Sequence, residues 1–193
     1  MREQSDEPTA DSDCQRWLES IRQLVEAGEP LDDLLSDVAD GLRQLTQLDH
    51  VLVILGKGDD DAPSVQYASL SSSERRQISD YLGAGLTGMR LSKNTLSVLG
   101  NADESKPVVC VESVPAIAEL LQKLADQERI GNLAANTVRN QSIEHACLGL
   151  LRPNGTVVGA IIAFCRARRT PTEDDVGLMR VVTELIDQAI GAG

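Results

Sequence analysis

The stretch HACLGLLRPNGTVVGAIIAFC, residues 145–165, consists of two apolar runs around Pro153-Asn154-Gly155. Pro, Asn and Gly in succession favour a chain reversal, and the flanking runs are rich in residues that pack well on a pleated surface. The stretch therefore reads as a β-hairpin. It also carries one of the two histidines, His145, and two of the four cysteines, Cys147 and Cys165. Two readings follow: a metal or redox site, or a sheet core that contains sulfur.

Working outward, the next segment downstream reads as a long helix. Thr172 precedes Glu173, Asp174 and Asp175, acidic residues that suit a helix N-terminus. Leu178, Val181, Val182, Leu185, Ile186, Ala189 and Ile190 then form an apolar stripe at spacings of three and four. Upstream, Val108–Val111 reads as a strand, and Pro115 opens a helical pattern to about residue 128. Glycines 83, 85 and 88 mark an irregular segment, and a helix spans about Glu74–Leu82. Val51–Leu55 and Ser64–Leu70 read as strands separated by a turn that contains Asp59–Asp61. Two helices come first, over 13–28 and 31–48, with Trp17, Leu18, Ile21, Leu24 and Val25 lining the first. Residues 1–12 are charged, without apolar period, and read as a disordered acidic tail. The order of elements implies an α+β fold with a mostly antiparallel sheet, one domain over 13–193.

Composition narrows the function. A net charge of −12 argues against a nucleic-acid surface, which needs a basic patch. The one compact basic cluster, Arg166, Arg168 and Arg169, reads as a solvated loop after a strand. No apolar run reaches the ~18–20 residues that span a bilayer, and the polar N-terminus is no secretory signal. The expectation is a cytoplasmic protein with reduced thiols and no membrane contact. Cys14, Cys110, Cys147 and Cys165 form no CxxC pair, so a structural zinc site is not indicated. Only four aromatic residues, Trp17, Tyr67, Tyr81 and Phe164, are available to stack on a flat cofactor.

Several segments in order resemble the GAF domain family. Ala146-Cys-Leu-Gly-Leu-Leu, Val157-Val-Gly-Ala-Ile-Ile and Thr170-Pro-Thr-Glu-Asp-Asp are similar to its closing strand, turn, strand and helix start. Gly85-Leu-Thr-Gly and Lys106-Pro-Val-Val-Cys-Val-Glu are similar to segments further upstream. The resemblance spans about residues 30–190. One departure is Leu151, where the family often has Pro. The resemblance implies a central sheet with the first and last helices on one face and a small-molecule pocket under loops and helices on the other. It implies a sensory or regulatory role, with no catalytic residues. It also implies a homodimer through residues 13–28 and 172–190, acting on an output domain or on a partner in trans. The family layout puts Leu86, Met89, Arg90, Asn94, Val98, Arg139, His145 and Cys147 at the pocket, with Arg90 and Arg139 suited to an anionic ligand.

His145-Ala-Cys147-Leu-Gly-Leu resembles the same position in nitric-oxide-sensing GAF domains, which hold non-haem iron. Residues i and i+2 of a strand share a face, and imidazole and thiolate both suit ferrous iron. Carboxylate ligands are missing, however: Asn132–Arg139 contains no acid and Phe164 stands at the following strand's end. No metal or cofactor is therefore favoured, and a metal- or redox-responsive sensor using His145 and Cys147 is the alternative. Cys110, Cys147 and Cys165 fall on three strands, two of which could bring their thiols together, although the cysteine pattern of the family's reductases is not matched. The set of residues that binds cyclic nucleotides is incomplete, and the cysteine and aromatic surroundings that hold linear tetrapyrroles are lacking. A third reading is a ligand-free dimerisation or interaction scaffold. His50 reads as structural.

Overall fold

The computed structural model describes residues 10–56, 62–82, 85–101 and 106–192. Within them the chain runs α1 (Ala10–Ala27), α2 (Leu31–Leu45), β1 (His50–Leu55), β2 (Ser64–Ala68), α3 (Ser72–Leu82), α4 (Thr95–Gly100), β3 (Val108–Val111), α5 (Val114–Leu124), α6 (Glu128–Asn140), β4 (Ile143–Leu151), β5 (Gly159–Arg166) and α7 (Glu173–Ala192). The strands form one sheet in the order β2-β1-β5-β4-β3, with every pairing antiparallel. The α+β architecture expected from the sequence is the one observed.

The hairpin read from residues 145–165 is the centre of the sheet. Leu151 pairs with Gly159 and His145 with Cys165, so β4 and β5 are in register over almost their whole length. The reversal is longer than a two-residue turn: Pro153–Gly155 forms a 3-10 turn, with Asn154 and Gly155 at positive φ (58° and 84°). Asn and Gly are the residue types that tolerate that region.

Alternation along the strands divides the core in two. Val51, Val53, Cys147, Leu151, Ile161 and Ala163 point to one face and pack with Ile21 of α1, Leu34–Leu42 of α2 and Leu178–Ile186 of α7. Ile54, Val65, Ala146, Leu148, Leu150, Ile162 and Phe164 point to the other and pack with Leu99, Ile117, Leu124, Ala135 and Val138. Helices α1, α2 and α7 thus cover one face, and α4, α5 and α6 the other.

Three close approaches fix the helical face. Gly149 on β4 lies directly under Thr183 of α7. Gly41 on α2 receives the Trp17 indole of α1. At the start of α7, the Thr172 hydroxyl accepts from Asp175 N–H (3.1 Å) and the Asp175 carboxylate accepts from Thr172 N–H (2.8 Å). This is the reciprocal cap for which Thr172 and the acidic residues were suited. Asp175 also accepts from Gln47 N–H (3.3 Å) and so ties α7 to the α2–β1 connection.

Some boundaries differ from expectation. The first helix starts at Ala10, inside the segment 1–12; residues 1–9, like Asp59–Asp61 and Gly83, lie outside the described residues. Helix α2 stops at Leu45 because the Thr46 hydroxyl bonds to Leu42 O and accepts from Leu48 N–H, which turns the backbone extended. The short helix α4 lies between the glycine-marked segment and β3, where no element was expected. The helix expected over 115–128 is α5, which ends at Leu124, and a further helix that was not expected, α6, runs from Glu128 to Asn140. Gly131 of α6 sits against Gln122 backbone, where a Cβ would lie 3.2 Å from Gln122 Cα. The glycine allows the two helices to cross closely.

Candidate functional site

Between the sheet and helices α5 and α6 lies a cavity of about 370 Å³. This is toward the lower end of the roughly 300–1,000 Å³ range of small-molecule sites. Its floor is Leu52 and Ile54 of β1, Val65 of β2 and Phe164 of β5. Its walls are Leu121 and Leu124 of α5 and Ile130, Leu133, Ala134, Thr137 and Val138 of α6. Leu86, Met89 and Leu91 close it from the loop between α3 and α4. Polar side chains gather at one end: His50, Thr137, Asn140 and Gln141. Among the described residues no Asp, Glu, Lys or Arg lines it.

His50 is aimed by β1, where it pairs with Phe164 across to β5 and shares its face. Arg166 Nη2 lies 3.2 Å from His50 Nε2. A guanidinium can only donate, so Nε2 accepts and the ring is held by its far nitrogen. The same Arg166 reaches Gln141 Oε1 (3.4 Å), which joins two of the polar lining residues at the cavity's end. Sequence reasoning read His50 as structural and Arg166 as part of a solvated loop. Their joint position follows from the β1–β5 register and the α6–β4 connection, neither of which a linear pattern displays.

Of the eight residues proposed for the pocket, Leu86 and Met89 line this cavity. The other six do not. Arg90 is exposed and bridges to Ser64 outside it. Asn94 is exposed at the start of α4, and Val98 packs at the rim of the core. Arg139 is exposed on α6 and donates to Asn136 Oδ1 (3.2 Å). Neither arginine therefore faces a ligand in the cavity. His145 and Cys147 do share a face, as the i, i+2 rule requires, but it is the face under α7. Strand parity settles this: Ala146, Leu148 and Leu150 take the cavity side, leaving 145 and 147 the other. The wall formed by α6 went unread because Gly131, Asn132, Asn136 and Thr137 dilute its helical signal, although Ile130, Leu133, Ala134 and Val138 keep the spacing.

Under α7, the sulfurs form a second grouping. Cys110 of β3 pairs directly with Cys147 of β4, and their Sγ atoms are 3.1 Å apart. Cys165 pairs with His145 on the same face and its thiol donates to Gln47 O (3.5 Å). Cys110 is exposed, whereas Cys147 and Cys165 are buried. The hydrogen bond from the Cys147 thiol lowers Cys110 to about 7, against the opposing effect of its own desolvation. Its bond to Cys110, and then burial, push Cys147 up. Burial, with Asp49 and Asp175 behind it, pushes Cys165 up to about 12. An open cleft beside Cys110 is bordered by Glu112, His145, Glu173 and Arg180. Among the described residues no three His, Cys, Asp or Glu side chains cluster as metal ligands. Glu144 is exposed, and the Cys147 sulfur lies against Cys110.

Comparison with known proteins agrees with this architecture. The family model for the GAF domain matches residues 30–190. The phycoerythrobilin-bound GAF domain of a cyanobacterial phytochrome superposes with a TM-score of 0.61 at 13% identity, over 92% of this chain and 94% of that one. The phycocyanobilin-bound GAF domain of a cyanobacterial phytochrome gives 0.62 at 13% identity, over 93% and 94%. The chromophore-binding domain of a bacteriophytochrome from R. palustris gives 0.65 at 13% identity, over 97% of this chain but 63% of that one. No curated protein matches the chain. At such identities the structural likeness speaks to the fold.

Proposed function

The chain belongs to the GAF domain family, and on that premise we propose that it senses a small, uncharged, largely apolar molecule held in the cavity under α5 and α6. The observation that carries this reading is the lining: among the described residues, an apolar wall without a charged side chain, and a polar end made by His50, Thr137, Asn140 and Gln141. Burial of apolar surface would supply the affinity, and the polar end would fix orientation. The phytochrome relatives hold bilins, but all four cysteines of this chain are absent from the cavity wall, so a thioether-linked chromophore has no attachment point there. The ligand is bound non-covalently, and the domain is non-catalytic.

Signalling runs from α6 through the sheet to α7. Helix α6 passes into β4 through Gln141 and Ser142, the latter at φ 52°. The far face of β4 carries α7 on Gly149. A ligand that shifts α6 shifts the start of β4, and occupancy biases how α7 and α1 sit. Leu18, Leu24 and Val25 of α1 and Val181, Ala189 and Ile190 of α7 are half-buried within the chain. They are the residues through which two copies would pair. Among the described residues no helix is long and apolar enough to cross a membrane.

The test uses N-phenyl-1-naphthylamine, a neutral apolar fluorophore, with native mass spectrometry of freshly purified protein. The probe is expected to brighten with the wild-type chain and to lose at least ten-fold affinity in Ala134→Phe, whose ring would fill the cavity. Equal binding by the two proteins, with the variant folded by circular dichroism, would refute the cavity as the site.

A further inference from the structure

We propose that Cys110 and Cys147 are a peroxide-reactive dithiol, in which Cys110 is the attacking sulfur and Cys147 resolves it as a disulfide between β3 and β4. The site lies on the opposite face of the sheet from the ligand cavity and does not depend on the reading given to that cavity.

The register supplies the geometry. Leu150 N–H donates to Pro107 O (3.2 Å), the residue across from it one step beyond the Val108–Gly149 pair. Positions 107 and 150 are therefore a hydrogen-bonded pair. Alternation along an antiparallel ladder makes 109 and 148 the next such pair and puts Cys110 and Cys147 at a non-hydrogen-bonded position. There Cα atoms stand about 4.5 Å apart, within the roughly 4.4–6.8 Å that a disulfide requires. The two sulfurs, 3.1 Å apart, need only small side-chain rotations to bond.

The environments of the two thiols divide the labour. Cys110 is exposed on β3, an edge strand, and opens on the cleft bordered by His145 and Arg180. Cys147 is buried at 1% exposure and keeps its proton. An accessible thiolate beside a buried thiol is the arrangement of a redox-sensing pair. A lone buried cysteine serving only as a core residue would not place its sulfur against a second one at the surface.

The chemistry balances. The Cys110 thiolate attacks the terminal oxygen of a hydroperoxide, forming S–O as O–O breaks; the leaving alkoxide takes up a proton and departs as an alcohol, or as water from hydrogen peroxide. Cys147 sulfur then attacks Cys110 Sγ, forming S–S as S–O breaks. Hydroxide leaves and takes the Cys147 proton to give water. The two thiols have lost two electrons and the peroxide has gained them. A small-molecule dithiol restores the pair by exchange. The bond would staple β3 to β4, and β3 leads through Ser113, whose hydroxyl accepts from Ala116 N–H (3.4 Å), into the cavity helix α5.

The experiment treats the fully reduced chain with one equivalent of hydrogen peroxide at pH 7, followed by intact-mass and peptide mapping. Loss of two hydrogens per chain and a peptide cross-linked Cys110 to Cys147 are expected. In Cys147→Ala the sulfenic acid is stranded on Cys110 and is captured there by dimedone. In Cys110→Ala neither Cys147 nor Cys165 takes the label. Recovery of both Cys110 and Cys147 as alkylatable thiols after peroxide would overturn the proposal. So would dimedone capture at Cys14 in place of Cys110, or direct conversion of wild-type Cys110 to sulfinic acid without the cross-link.

Discussion

Replacement of Gly149 by alanine tests the contact through which the sheet would move α7. A methyl built at this position falls closer than 3.0 Å to Thr183 Oγ1, and lies 3.3 Å from Thr183 Cβ and 3.4 Å from Cγ2. The oxygen has little freedom to retreat. Thr183 is buried at 1% exposure and its hydroxyl donates to Met179 O (2.7 Å), a bond that rotation of χ1 away from the new methyl would give up. Helix α7 must lift, or the strand must sink. Overpacking of this kind costs about 1–3 kcal/mol. The alanine recovers ~0.5 kcal/mol by restricting the unfolded chain, which leaves a net loss of about 0.5–2.5 kcal/mol. For a chain of this size that corresponds to a fall in Tm of roughly 1–10 °C. Thr183→Ala alone loses one hydrogen bond and one methyl, about 1–2 kcal/mol together. The double variant removes the atoms that clash, so it should be no less stable than Thr183→Ala, a favourable coupling of about 0.5–2.5 kcal/mol. Urea unfolding followed by circular dichroism, with m unchanged, measures all four corners of the cycle. Additive losses within ~0.5 kcal/mol would show that Gly149 and Thr183 do not share a contact, and the proposed link from β4 to α7 would fail with them.

Two further perturbations probe the helical face. Asp187 is raised above the usual carboxylate range by desolvation, opposed by the Arg152 N–H that donates to its Oδ1 (2.7 Å). The folded chain thus holds this proton more tightly than the unfolded one, and the group's contribution declines as pH rises through the folded pKa. Asp187→Asn keeps an oxygen acceptor and cannot ionise; its Tm at pH 7.5 should equal or exceed wild type, with the advantage shrinking toward pH 4, and a lower Tm at pH 7.5 would contradict this. Gly41→Ala would drive the Trp17 indole off α2, because the methyl would occupy the ring's place. As Trp17 is the chain's one tryptophan, its fluorescence should shift to the red while N-phenyl-1-naphthylamine binding persists; an unshifted spectrum would refute the packing.

Elements with strong periods and clear punctuation can be read from the linear chain. The 145–165 hairpin, the Thr172 cap and the stripe of α7 all rest on local rules: turn residues, a side chain that satisfies orphan amides, and apolar spacing of three and four. The α+β class and the family resemblance follow from their order. The parity of β4 was legible too, since His145 and Cys147 had to share a face. Which face that was is a tertiary fact. It depends on where α7 returns, and residues 145 and 172–180 meet only after the sheet has formed. The same applies to the cavity. Its walls come from β1, β2, α5, α6 and β5, and no single segment carries its outline. Arg90 and Arg139 looked like anion-binding groups because charge is visible in a sequence, whereas direction is not. The tertiary structure turned both to solvent and built the site from aliphatic side chains, which a linear reading assigns to the core. Cys110 and Cys147 stand 37 residues apart and meet at 3.1 Å only through the pairing of β3 with β4. Local chemistry fixed what each residue can do, and long-range register decided which of them do it together.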